Sequence, residues 1–271
     1  MGVLRLAPHA FADNGRSLTR AAVTRGRRMI SEGADIVEIA CTPPPVEFPQ
    51  AEQVANVVGA LSGDARVAVA TGSPTLAAAA TAAGATLLCD YSMVPGGADG
   101  AAREELVGVA AEAGAGWVAV HTAAPVRSAD GESGAGRAVA GALESLEAQA
   151  EEASAAGLSE IYLDPGIGCG RSHEEDLDLL SGLQRLAGLG RPLVVGTGDG
   201  SLIDGLHAAA DTRRLPVPEA AGERNADRLE GALVVAVWAM LAGAAVLRTQ
   251  YVAATVQAAR TVGARRPVGT P

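Results

Sequence analysis

Asp164-Pro165-Gly166-Ile167-Gly168-Cys169-Gly170-Arg171-Ser172 follows a short apolar run at 160–163 and opens into a polar helical pattern. A strand that ends in Asp, turns through Pro and Gly, and starts a helix is one βα unit. It places a single carboxylate at the end of the strand. The glycines let backbone approach a neighbour or a ligand closely. Asp164 can accept paired hydrogen bonds from an amino-pyrimidine edge, or it can cap its own turn.

Working outward, the same unit recurs about every 30 residues. Strands are predicted at 3–6, 35–39, 66–70, 86–89, 117–121, 160–163, 192–196 and 245–248. Helix-like stretches lie at 17–32, 51–61, 74–83, 102–113, 138–156, 174–186, 224–242 and 252–262. Eight strands, each followed by a helix, predict an α/β fold, a single (β/α)8 barrel over 1–271, and 271 residues is close to the usual size. Gly33, Gly84, Gly114, Gly157 and Gly243 follow helices, where a left-handed residue ends the last turn. No linker divides the chain; 127–136 and 211–223 read as long loops after strands five and seven. Barrel chemistry sits where strands end and βα loops begin. That selects 5–15, 40–45, 70–73, 90–92, 121–122, 164–172, 197–201 and 248–251.

Composition narrows the function. The net charge of −10 argues against nucleic acid, though a local pocket can still be basic. All 21 basic residues are Arg, so a Schiff-base lysine, a lysine general base and a lysine phosphate clamp are excluded. Aromatics are only 3%, so small aliphatic side chains must fill the interior. Three cysteines, Cys41, Cys89 and Cys169, form no CxxC pair and no even disulfide set, which fits a reduced cytoplasm. Arg5, Asp13 and Arg16 interrupt any signal-peptide run, and the apolar stretch 231–246 reads as a buried helix and strand rather than a membrane span. GxGxxG and P-loop patterns in their proper context are absent. No His, Asp and Glu set has metal-ligand spacing, so neither a bound metal nor a cofactor is expected.

The strand-end segments resemble the dihydropteroate synthase family over nearly the whole chain. Leu6-Ala7-Pro8-His9-Ala10-Phe11-Ala12-Asp13 is similar to its first signature, and 164–171 to its Asp-Pro-Gly-Ile-Gly-Phe-Gly-Lys. Segments 32–39, 67–74, 83–92, 193–197 and 246–248 resemble its second, third, fourth, seventh and eighth strands. The resemblance implies a transferase that joins p-aminobenzoate to a pterin methyl diphosphate and releases diphosphate with magnesium. It also implies a homodimer paired through outer helices. Carried over by position, Asp164 matches the aspartate that grips the pterin and Arg248 the last-strand arginine. Thr71 and Asp90 match motif positions, and His121 a histidine common at the fifth strand end.

Several positions depart from the pattern. The first-strand Asn that helps hold metal and diphosphate is Arg5, and the loop-one Thr and Asp are Ala7 and His9. The Ser-Thr-Arg-Pro loop reads Cys41-Thr42-Pro43-Pro44 without its Arg. The third-strand Asp is Ala70 and the fourth-strand Asn is Cys89. Ser-Arg-Lys-Ser reads Gly198-Asp199-Gly200-Ser201, and the last His is Gln250. Losing one preorganised donor costs about 10²–10³ in rate. A site with several unpaired polar partners loses roughly 10⁴ or more in discrimination.

The ligand-binding candidates are therefore Arg5, Thr71, Asp90, Asp164 and Arg248, with His9 and His121 as acid/base candidates or hydrogen-bonded loop residues. Arg5 holds an anion with Arg248 across the closed barrel, or forms a salt bridge to Asp35, Glu38 or Asp164. Cys41 and Cys89 read as buried inert thiols. Three functions stay open. One is a diverged transferase-like enzyme that takes another small anionic or heterocyclic ligand in a specialised biosynthetic pathway. Another is a non-catalytic paralogue that binds a ligand or a protein partner. The third is an authentic synthase with a rebuilt site.

Overall fold

The computed structural model describes residues 1–6, 16–41, 51–92, 100–122, 136–169, 171–197, 202–203 and 223–263. The strands are β1 (Gly2–Arg5), β2 (Ile36–Ala40), β3 (Arg66–Thr71), β4 (Leu87–Asp90), β5 (Gly116–Val120), β6 (Ile161–Asp164), β7 (Val194–Gly196) and β8 (Val246–Arg248). Every one starts and ends within two residues of its predicted bounds. The helices are α1 (Arg16–Ser31), α2 (Ala51–Leu61), α3 (Pro74–Ala82), α4 (Gly100–Ala113), α5 (Arg137–Ala155), α6 (His173–Ser181), α7 (Leu183–Ala187), α8 (Glu223–Leu241) and α9 (Val252–Val262). Among the described residues no helix is long and apolar enough to cross a membrane.

β1 to β6 form one parallel sheet in chain order, and β7 pairs with β8. Two parallel bridges join these sheets, Leu163 with Leu193 and Gly2 with Thr249. Val3 N–H donates to the Thr249 carbonyl at 2.9 Å and Thr249 N–H to the Met1 carbonyl at 3.0 Å. The ring is thus closed, a (β/α)8 barrel with no free sheet edge.

Alternation along the strands builds two cores. Val37, Ile39, Val67, Val69, Leu88, Trp117, Ile161, Leu163 and Val195 face the helix layer and pack with Val54, Leu61, Leu106, Leu146 and Leu183. Ile36, Ala68, Ala70, Leu87, Cys89, Val118, Val120 and Val194 face the barrel axis, beside Tyr91, Tyr162 and Val246. The axial core mixes small residues with Ile36, Leu87, Tyr91 and Tyr162, so two of the chain's three tyrosines lie there.

The helix predicted at 174–186 is two helices. Gly182 ends α6, and its N–H donates to the carbonyls of Asp178 and Leu179 at 3.0 and 3.1 Å. A Cβ at Gly182 would lie 2.4 Å from Val139 Cγ2 of α5. The break lets α5 approach at that point, a tertiary demand that helical periodicity does not encode. The start of α6 is fixed locally: Ser172 and Glu175 form a capping box, with Glu175 N–H donating to Ser172 Oγ at 3.3 Å and Ser172 N–H to Glu175 Oε2 at 3.1 Å. The five helix-ending glycines all take positive φ, between 62° and 110°.

At the strand-start end, Arg66 of β3 bridges to Glu160 just before β6 through paired hydrogen bonds of 2.6 and 2.7 Å. Tyr162 Oη donates to the same carboxylate at 2.7 Å. This network is partly open to water, with side-chain exposures of 28% for Arg66 and 44% for Glu160. Stability should therefore come from the apolar layer. Leu146→Ala, at a fully buried site, should lower the unfolding free energy by roughly 2–5 kcal/mol. Arg66→Ala should cost less than about 1 kcal/mol. Urea denaturation monitored by circular dichroism reads both; equal losses would contradict this ranking.

Candidate functional site

Strand alternation sorts the residues that the sequence singled out. Glu38 is in register with Val3 and Ala68 and shares the inward face. Asp164 follows inward Tyr162 by two residues, and Arg248 follows inward Val246 by two. Arg5 is in register with Ala40 and belongs to the same inward set, one pleat above Val3. Thr71, Asp90 and His121 each follow an inward residue (Ala70, Cys89 or Val120) by one position, and so lie on the outer face.

The inward groups meet at Arg248. Its Nε donates to Glu38 Oε2 at 2.9 Å, and its Nη1 donates to Asp164 Oδ2. Asp164 Oδ1 accepts the Gly166 N–H at 2.8 Å, so both carboxylate oxygens are engaged. Cys89 Sγ donates to Glu38 Oε2 at 3.3 Å. The Tyr91 ring lies with its centroid 5.9 Å from Arg248 Cζ. Glu38, Asp164 and Arg248 are 0%, 1% and 8% exposed. Glu38 Oε1 and Arg248 Nη2 are buried without a hydrogen-bond partner.

Burial alone would lower the Arg248 pKa, but the charges of Glu38 and Asp164 outweigh it and hold it well above its ordinary value. Burial pushes the Cys89 thiol and the Tyr91 hydroxyl well up, and raises Cys41 and Cys169 to about 12. At neutral pH none of these three thiols supplies a thiolate nucleophile. The floor of the mouth is therefore two carboxylates and one guanidinium beside neutral thiol and phenol groups, with the Met1 amino group, lowered to about 6 by burial, and the Arg171 guanidinium within electrostatic reach.

Arg5 does not stand beside Arg248. The Gly2–Thr249 bridge sets β1 so that Arg5 lies three residues further along than the level of Thr249. At about 3.3 Å per residue that is a stagger of roughly 10 Å. Arg5 is exposed at the open end of the barrel. The two carboxylates at the floor, Glu38 and Asp164, lie on Arg248.

The outer-face residues serve local structure. Thr71 Oγ1 accepts the Ser73 N–H at 3.0 Å and is buried. Asp90 Oδ1 accepts from Ser92 N–H at 2.9 Å and Ser92 Oγ at 2.5 Å. Asp90 Oδ2 lies 3.2 Å from Arg103 Nε of α4, and Arg103 Nη2 lies 3.0 Å from Glu152 of α5. Asp90 therefore ties the end of β4 to the helix layer. His9 and the segments 7–15, 42–50 and 198–201 lie outside the described residues.

The close approach required of Gly166 is to protein. Gly166 has φ +71°, and a Cβ there would lie 1.9 Å from the His121 carbonyl oxygen. Arg171 clamps the same turn: Nη1 donates to the Gly166 carbonyl at 2.8 Å and the Pro165 carbonyl at 3.3 Å, and Nη2 to the His121 carbonyl at 3.1 Å. The Asp164–Arg171 segment thus fastens β6 to the end of β5 and aims Asp164 at the axis.

The described residues do not fit the magnesium that the resemblance implies. Among them no group of three or more His, Cys, Asp or Glu gathers as a metal site. The strand-one position carries the guanidinium of Arg5, which repels a cation.

Sequence reading missed Glu38 as a floor residue. The available signal was a carboxylate at the centre of the apolar run Ile36-Val37-Glu38-Ile39, where a buried charge requires a partner.

His121 yields a pH prediction. Burial, then the charge of Arg171, lowers its pKa from 6.5 to about 4, and its Nδ1 is buried without a partner. Between those values the unfolded chain binds the proton and the folded chain does not. Stability is complete above pH 6.5 and falls as the pH drops toward 4. His121→Asn should flatten that part of a melting-temperature profile. An unchanged slope would show that other groups produce it.

The comparisons agree with the barrel fold. The family model described as "Pterin binding enzyme" matches residues 1–250. Dihydropteroate synthase of Mycobacterium leprae is 30% identical over 278 residues, covering 97% of this chain and 92% of the relative. A protein named "Inactive dihydropteroate synthase 2" of Mycobacterium bovis is 28% identical, covering 100% of this chain and 84% of its own length. Among solved structures, the Xanthomonas albilineans dihydropteroate synthase in complex with 7,8-dihydropteroate superposes with a TM-score of 0.76 at 29% identity, covering 99% and 94% of the two chains. A closed barrel with an Asp-Pro-Gly turn at its sixth strand and a buried arginine at its eighth thus occurs in a chain that belongs to the pterin-binding enzyme family, the family of the dihydropteroate synthases.

Proposed function

We propose that this chain is a diverged, transferase-like member of its family that takes a different small ligand, heterocyclic or anionic, at the barrel mouth in a specialised biosynthetic pathway. One observation carries the reading: both oxygens of Asp164 are already engaged, by Gly166 N–H and by Arg248 Nη1. A pterin edge would have to displace one of them. The inward positions above the floor offer Ala70 and Cys89, a methyl group and a neutral thiol. Each ring polar atom left unmatched costs about 1–3 kcal/mol.

The residues support definite roles. Asp164 and Arg248 contact the ligand, and Arg5 lies higher on the inward set, within reach of a longer molecule. Thr71 and Asp90 shape the loops that surround the mouth. A net charge of −10 favours a small molecule over nucleic acid as partner. A second reading, a paralogue that binds without catalysis, is favoured by the neutral Ala70 and Cys89 positions and by the absence of Lys throughout the chain.

The third reading, an authentic synthase, is tested directly. The purified protein, given 4-aminobenzoic acid, a pterin methyl diphosphate and magnesium, should form no 7,8-dihydropteroate in a steady-state assay. Turnover at even a small fraction of an ordinary synthase rate would sink the proposal.

We also propose that two copies pair through the outer helices. Val234, Trp238 and Leu241 of α8 recur on one helical face and are 64%, 48% and 69% exposed. They border a groove that includes Ser181 and Gln184. Trp238→Glu should convert a dimer to a monomer in sedimentation velocity; a wild-type monomer at micromolar concentration would remove the proposal.

A further inference from the structure

We propose that the barrel floor is a seat for a planar cationic group, an amidinium or guanidinium carried by the ligand, which replaces the Arg248 guanidinium between Glu38 and Asp164, with Glu38 setting the preference for positive charge. This rests on the reading of the mouth as a ligand site, in its heterocyclic rather than its anionic form, and it names the charge that the ligand brings there.

The charge balance points this way. Glu38 and Asp164 together carry −2, and Arg248 returns +1. The side chains beside them, Cys89 and Tyr91, are held neutral by burial. An anion brought to this floor meets two buried carboxylates whose hydrogen-bonded counter-ion, Arg248, is already shared, while the nearby Arg171 guanidinium is spent on backbone carbonyls. A cation meets two carboxylates and an aromatic face, since Tyr91 already lies against Arg248.

Hydrogen bonding points the same way. A guanidinium can present two parallel N–H groups to one carboxylate. Arg248 does not: Glu38 accepts from Nε alone, while Nη2 and Glu38 Oε1 are each buried and unpartnered. The donor and acceptor left over belong to the same ion pair. Arg248 is tethered to β8 and must also reach Asp164 on β6. An untethered planar cation has no such constraint and can match both oxygens of Glu38. Small inward residues surround the seat: Ala40 and Ala70 are in register, as are Gly196 and Arg248. Ala40 and Gly196 are only half-buried, so the seat opens toward the mouth on their side. Arg248 thus serves as an internal stand-in for the ligand's own cation, and Glu38 is the specificity-determining residue.

Three probes of one shape and different charge test this by calorimetry on the whole chain: benzamidinium, benzamide and benzoate. Benzamidinium should bind at least about ten-fold tighter than benzamide, and benzoate should not bind measurably. Glu38→Gln should remove the preference, bringing benzamidinium and benzamide within about three-fold of each other. If Glu38→Gln fails to fold, Arg248→Ala provides a second readout, because its melting temperature should rise with benzamidinium and not with benzamide. Equal affinity of benzamidinium and benzamide for the wild type overturns the proposal, as does a preference that survives Glu38→Gln. Tight benzoate binding lost in Arg248→Ala overturns it too, while leaving the mouth as a ligand site. If no cation, anion or neutral heterocycle binds at all, this inference and the reading beneath it fall together.

Discussion

Arg248 joins three strands across the barrel axis. It sits on β8, and it is hydrogen-bonded to Glu38 on β2 and Asp164 on β6. Removing two carboxylates and a guanidinium from water costs several kcal/mol per ion. Their mutual attraction repays that only where geometry is good. The arrangement therefore demands a closed ring: these three strands approach one another only when β8 has docked on β1. Hydrophobic burial is tolerant of small shifts, whereas a buried ion cluster is not. The cluster selects one register for the strands that carry it.

The two ends of the barrel solve the charge problem differently. At the strand-start end, Arg66, Glu160 and Tyr162 make a network in partial contact with water. Water screens that network, so its contribution is small and its rearrangement cheap. At the other end the ions are dry and under-satisfied, with an orphan donor and an orphan acceptor. Buried unsatisfied groups are uncommon in native proteins and concentrate where a partner is absent. The dry end is also the end at which barrels carry chemistry.

Around the floor, much of the Asp-Pro-Gly motif and its neighbours does structural service. Gly166 is required because backbone carbonyl oxygen of His121 occupies the place of a Cβ. Arg171 binds three carbonyls and no ligand is needed to explain it. Asp90 is committed to Ser92 and Arg103. Facing the axis beside these structural groups is a short set of inward residues, Glu38, Ala70, Cys89, Asp164 and Arg248, of which Ala70 and Cys89 depart from the family's pattern.

Local patterns carried the fold. Alternating apolar runs, helix-ending glycines and the capping residues Ser172 and Glu175 act over a few residues, so the eight strands and the start of α6 were legible in the sequence. Period-two alternation also determined which face Thr71, Asp90 and His121 would take, once Ala70, Cys89 and Val120 were known to face the axis. The sequence alone likewise determined that lysine chemistry is excluded. The division of α6 from α7 was not legible, because it answers to Val139 on another helix. Nor was the pairing of Glu38 with Arg248, which are 210 residues apart. That contact depends on barrel closure and on the stagger of β1 against β8. The same stagger sets Arg5 four residues above the level of Arg248, roughly 13 Å at about 3.3 Å per residue. Residue types determined that charges would be buried at the mouth; only the closed ring, by setting strand heights relative to one another, decided which charges meet.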